Sequence, residues 1–161
     1  MNKVLIAIDD SPNAMKAVEY VARQFAETKD VQIGIVHVLP NLPAIFWDEG
    51  HILSVEEKKE RQNVVDKWLT SRKARIEPMF KNAVEKLTGK GISAHQIQTK
   101  SISDSTDVAD SILEEAKDSG YQTIVLGRHN GTQGKGKRFF MGTIANKIIT
   151  QGSGMAITIV E

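Results

Sequence analysis

KVLIAIDDSPN, residues 3–13, sets an unbroken apolar run against an abrupt polar turn. A short apolar run without polar alternation suits a strand buried on both faces, as in a parallel sheet. Asp10 or Ser11 can cap a helix there, with Pro12 at its first position. The helical pattern follows at once, because Ala14, Ala17, Val18, Val21, Ala22 and Phe25 recur at 3.6-residue spacing. A buried strand turning directly into an amphipathic helix is the first half of a βαβ unit.

The rest of the chain repeats that unit. VQIGIVHVLP (31–40) reads as a second strand stopped by proline. Residues 39–54, LPNLPAIFWDEGHILS, form an excursion broken by Pro40, Pro43 and Gly50. From Ser54 to about Lys90 the pattern is helical, with Val65, Trp68, Arg72, Ile76, Met79, Ala83 and Leu87 roughly along one face. Pro78 should bend this helix or split it into two. ISAHQIQT (92–99) offers a third strand, and SDSTD (103–107) caps a helix in which Val108, Ile112, Leu113 and Ala116 repeat before Gly120 ends it. YQTIVLG (121–127), a short helix near 143–150 and MAITIVE (155–161) complete the series. Strands alternating with helices call for an α/β fold: an open, doubly wound, five-stranded parallel sheet with helices on both faces. Ligands of such sheets bind beyond the carboxyl ends of the strands, where the strand order reverses.

Composition narrows the function classes. A chain of 161 residues with 40% hydrophobic and 25% charged content is expected to form one domain over 1–161. A formal net charge of +1 supplies no global basic field for nucleic acid. There is no cysteine, which excludes disulfides, thiolate catalysis and cysteine metal sites. The N-terminal apolar run is too short for a secretion signal, and no apolar run is long enough to span a membrane. The expected location is the cytoplasm.

GRHNGTQGKGKRFFMGT (127–143) lies beyond the fourth strand, rich in glycine and cations. Such a stretch is a mobile surface turn or a cradle for phosphates. Glycines admit close backbone approach. Gly142-Thr143 opens a helix whose free N–H groups favour an anion, and Arg128, Lys135, Lys137 and Arg138 could neutralise its charge. GTQGKGKR (131–138) nearly fits a P-loop, but Arg138 stands where Ser or Thr must hold magnesium. A dinucleotide fingerprint fails because Phe139 replaces its third glycine. Phe139 and Phe140 are the loop's only base-stacking aromatics, so nucleic acid is not the expected partner.

These segments together resemble the universal stress protein family along nearly the whole chain. KVLIAIDDS is similar to the family's opening strand with its acidic tip, IVHV (35–38) to its second strand, SGYQTIVLGRHN to the strand entering its nucleotide loop, and GTIANKIITQGSGMAITIV to its closing helix and strand. The nucleotide-binding branch carries glycine, two residues, glycine, nine residues, glycine, then Ser or Thr. Here Gly127 takes the first position, Asn130 replaces the second glycine, Gly131 comes one place later, and eleven residues precede Gly142-Thr143. The resemblance implies a flavodoxin-like, adenine nucleotide alpha-hydrolase-like sheet of order 3-2-1-4-5. It implies ATP, ADP or AMP in the crevice, with magnesium held by Asp9 through water, and a homodimer through the last strand, 155–161. It places Ala7, Ile8, Asp9, Val38, Leu126, Gly127, Arg128, Asn130, Gly131, Gly142, Thr143 and Ile144 at the nucleotide. The family's other branch binds no ATP and acts through dimerisation and protein contacts, and the altered loop spacing keeps that alternative open.

Each role has a plain structural counterpart. Asp9 accepts from ribose or adenine, or caps the first helix; Ala7 and Ile8 line the same edge as packing. Val38 would read adenine through its backbone, and His37 reads as a structural strand-end histidine rather than a base. Arg128 and His129 point to phosphate or to water. Lys135, Lys137 and Arg138 are solvated loop charges or contacts to phosphate or a partner. Asn146 and Lys147 should be exposed, Thr106 and Asp107 belong to a helix cap, and Phe46 and Trp47 form a lid, a dimer face or core. No convincing base stands near the loop, so a nucleotide-responsive regulatory protein with an unknown protein partner is expected, with at most slow hydrolysis.

Overall fold

The structure, a computed structural model, describes residues 1–40, 54–128 and 142–161. Among the described residues five strands, β1 (Asn2–Ala7), β2 (Val31–Pro40), β3 (Ile97–Ser105), β4 (Thr123–Gly127) and β5 (Ala156–Val160), alternate with four α-helices. The helices are α1 (Pro12–Phe25), α2 (Val55–Thr88), α3 (Val108–Asp118) and α4 (Thr143–Gln151). Every pairing is parallel, and the sheet runs β3-β2-β1-β4-β5.

Strand alternation divides the core into two layers. Val4, Ile6 and Ile8 of the first strand and its exit face α1 and the end of α2, with Ile33 and Ile35 beside them. Leu5, Val36 and Val38 face α3 and α4 on the other side. The helices present the apolar stripes that the sequence spacing predicts: Ala14, Ala17, Val18, Val21 and Ala22 on α1, and Ala109, Ile112, Leu113 and Ala116 on α3. The alanines let both helices lie close to the sheet.

One element departs from the sequence reading. The third strand starts at Ile97, not Ile92, and continues through Ser105. Ala94–Gln96 is a 3₁₀ turn closed by a Ser93–Gln96 capping box, and the Gln96 amide donates to the carbonyls of Lys29 and Val31. β3 is an edge strand whose residues are mostly exposed, so no apolar run marks it. Of the two outcomes open at Pro78, the unsplit one is found: α2 is a single helix of 34 residues with Pro78 inside it, about 50 Å long at 1.5 Å per residue. Pro78 and Ala74 are both exposed, so the carbonyl that loses its helical partner faces water. The buried residues of α2 are Ile76, Phe80, Ala83 and Leu87, so only its last third packs on the sheet. Earlier in the helix, Arg72 stacks 5.5 Å from the Trp68 ring centroid and reaches Asp10 at 3.8 Å.

The two sheet edges differ in chemistry. Along β3, Thr99, Lys100, Ser101, Ser103 and Asp104 are exposed, and Asp104 takes a left-handed φ of 64°. Along β5, Ile157, Ile159 and Val160 are half-buried. Ala156 N–H donates to Gln122, and the Val160 carbonyl accepts from Arg128. Alternation therefore turns the backbone groups of Ile157 and Ile159 away from β4.

Candidate functional site

The strand order reverses between β1 and β4, and there the carboxyl ends of the strands part around a cleft of about 370 Å3. Ala7, Ile8 and Asp9 enter it from the end of β1, Val36 and Val38 from β2, and Leu126 and Gly127 from β4. Val108 and Ile112 of α3 and Ala14 of α1 close its sides, and Gly142, Thr143, Ile144 and Ala145 bring the start of α4 to its rim. Most of these groups are aliphatic, so the cleft is largely apolar. The polar groups are few and localised: the Asp9 carboxylate, the Thr143 hydroxyl and main-chain N–H groups.

The helix starts around the cleft are not equivalent. At α3 the Asp107 carboxylate accepts from Asp110 N–H at 3.0 Å. Asp107 and Asp110 also share Lys147 Nζ, at 2.8 and 2.9 Å. The Lys147 ammonium and the Asp110 N–H hold the Asp107 carboxyl below its ordinary range, and the same pairs raise Lys147. At α4 the N-cap is Gly142, which has no side chain to cap with. The first internal bond is Asn146 N–H to the Gly142 carbonyl, so Thr143, Ile144 and Ala145 direct N–H groups outward without an intrahelical acceptor. The positive end of α3 is already answered by a carboxylate, while that of α4 faces the rim of the cleft.

Gly127 is fixed by close packing. A Cβ there would collide with the Asn13 carbonyl and the Ala14 nitrogen. The Asn13 side-chain amide donates to the Arg128 carbonyl, pinning β4 to the start of α1. Asp9 Oδ1 accepts from Ser11 N–H at 2.9 Å and so shapes the β1–α1 turn. Ser11 is the N-cap of α1 and makes no side-chain cap bond.

Nine of the residues expected at the site line this cleft: Ala7, Ile8, Asp9, Val38, Leu126, Gly127, Gly142, Thr143 and Ile144. Arg128 is not among the lining residues; its guanidinium pairs with Glu161. Asn130, Gly131, His129, Lys135, Lys137, Arg138, Phe46 and Trp47 lie outside the described residues. Ala14, Val36, Val108, Ile112 and Ala145 were missed. Val36 is two positions before Val38, so alternation would have found it, whereas the apolar spacing of α3 marks Val108 and Ile112 as buried without showing that they reach the cleft. Lys147, expected to be exposed, is half-buried because Asp107 and Asp110 hold it against α3. His37 does not line the cleft. Its Nδ1 is buried without a hydrogen-bond partner among the described residues, and burial lowers its pKa against the opposing pull of Asp10 and Asp9.

Among the described residues, no group of three His, Cys, Asp or Glu side chains converges as a metal site, and no helix is long and apolar enough to cross a membrane. The fold and cleft define an α/β protein of the open, doubly wound kind, with its candidate site at the topological switch point. Residues 1–153 match the model of the universal stress protein family, and the chain belongs to that family. It is 28% identical over 157 residues to universal stress protein YxiE of Bacillus subtilis (strain 168), covering 91% of this chain and 90% of the relative. Its fold is similar to that of UspA from Lactobacillus plantarum, with a TM-score of 0.69 at 12% identity, covering 99% of this chain and 97% of that one. A universal stress protein from Archaeoglobus fulgidus in complex with dAMP aligns with a TM-score of 0.60 at 18% identity, covering 100% and 98% of the two chains. A family member from Arabidopsis thaliana with AMP bound aligns with a TM-score of 0.62 at 16% identity, covering 99% and 91%.

Proposed function

We propose that this universal stress protein binds an adenine nucleotide, ATP or its di- or monophosphate, at the β1–β4 switch point and acts as a regulatory module. The observation that carries the reading is a largely aliphatic cleft whose rim holds a helix start with glycine as its N-cap. A flat apolar base suits Val36, Val38, Val108 and Ile112. Phosphate oxygens suit the N–H groups of Thr143 and Ile144, which have no intrahelical acceptor, and the positive end of α4. Asp9 lies where it can accept from a ribose hydroxyl or hold magnesium through water. The bound AMP and dAMP of the Arabidopsis and Archaeoglobus proteins support the same chemistry. On this reading a second copy covers β5, whose outward backbone groups suit strand addition.

Isothermal titration with adenosine, AMP and ATP tests this, together with release of any co-purified nucleotide by denaturation. One nucleotide per chain is expected. Gly142→Asp puts a carboxylate cap on α4 at a backbone φ of −52° that any residue tolerates. It should weaken AMP by roughly tenfold through repulsion at the helix start and leave adenosine nearly unchanged. Wild-type protein that is empty and silent to all three ligands would overturn the reading. Asn130 at the second glycine position and the lengthened loop favour the branch without ATP as the second reading. An empty but dimeric protein is its signature.

A further inference from the structure

We infer that Arg128 is a phosphate-reading side chain held in reserve by Glu161, so that a ligand's phosphate and the Glu161 carboxylate compete for one guanidinium. The inference rests on the nucleotide reading of the cleft.

Three observations carry it. First, the Arg128 backbone is hydrogen-bonded on both sides next to the cleft. Its N–H donates to the Val160 carbonyl at 2.7 Å, and its carbonyl accepts from the Asn13 amide. Gly127, one Cα step away, lines the cleft, which puts the Arg128 Cα within about 3.8 Å of a lining residue. Second, alternation along β4 and its continuation puts Arg128 on the same face as Leu126, the face that carries the cleft and α4.

Third, the guanidinium is only partly satisfied. Nη1 bonds to Glu161 Oε1, while Nε is buried without an acceptor among the described residues. Nη1 is the nitrogen on the Cδ side of the group, so the Glu161 contact leaves the side-on edge, which includes Nε, for another anion. A buried donor without an acceptor is unfavourable, and a side-on guanidinium edge matches two phosphate oxygens. The existing pair is readily exchanged, because the Glu161 side chain is 71% exposed and that of Arg128 29%. In the resting protein Glu161 cancels the charge that would otherwise attract phosphate.

Glu161→Gln removes that competitor at an exposed position where folding is not at risk. AMP should then bind roughly two- to fivefold more tightly, the range expected for releasing an exposed ion pair, with adenosine unchanged. Arg128→Gln should bring AMP affinity toward that of adenosine, and adding Glu161→Gln to it should change nothing further. This closed cycle distinguishes competition from a structural role. Equal effects of Glu161→Gln on adenosine and AMP, no effect on either, or weaker AMP binding would each overturn the inference. In all three cases wild-type protein still binds both ligands, so the reading of the cleft stands. A wild-type protein that binds neither ligand removes both.

Discussion

A single side chain, His37, shows how position on the sheet sets chemistry. It lies in β2, near the same strand end as the cleft-lining Val38 but with the opposite orientation, so it faces α1 and α2 instead of the cleft. Burial lowers its pKa; Asp10 and Asp9 pull it upward, and Arg72 pushes it down again. The native imidazole therefore stays neutral at pH values where the unfolded chain, titrating near about 6.5, already takes a proton. Between those two values the unfolded state binds more protons, so stability rises with pH and falls as pH drops. Urea unfolding of wild-type protein between pH 7.5 and 5.5 should show this loss, and His37→Gln should flatten it. Identical pH slopes for the two proteins would show that His37 carries none of it. Gly127 shows the same dependence on position: its missing side chain is required by Asn13 and Ala14, so a bulkier residue there disturbs packing before it disturbs any ligand.

At the scale of elements, the parts legible in sequence are those whose burial is one-sided or complete. β1, β2, β4, α1 and α3 announce themselves because their apolar residues follow the period of the structure they adopt. β3 does not, because an exposed edge strand written IQTKSISDS has no such period. The β1, β4 and α4 walls of the cleft follow from the strand–turn–helix order, whereas Val108 and Ile112 required knowing which face of α3 turns toward β2. In α2 the helical period on both sides of Pro78 left open whether the helix bends or splits, and it runs on unsplit. The proline removes one N–H and crowds Ala74 on the solvent side, and the flanking turns continue through it. Pro78→Ala should restore that bond. It should stabilise the protein by about 2 kcal/mol, the helix-interior penalty of proline less the entropy it removes from the unfolded chain. The urea midpoint reads the gain, and a lowered midpoint would mean that the proline shapes a bend on which packing depends.

At the scale of the whole molecule, the question is what covers the apolar edge. If copies pair through β5, the outward N–H groups of Ile157 and Ile159 become hydrogen-bonded across the interface. Hydrogen exchange followed by NMR should then find these two amides protected at high protein concentration and rapidly exchanging once dilution separates the copies. Fast exchange at every concentration excludes pairing through this strand. The opposite margin of the sheet bears directly on what such pairing can build. Its lysine, aspartate and hydroxyl side chains, with the left-handed kink at Asp104, make a poor template for a further strand. Joining like edges about a two-fold axis uses up both receptive borders at once. The product would present only uninviting ends, and growth into a fibre would have nowhere to begin.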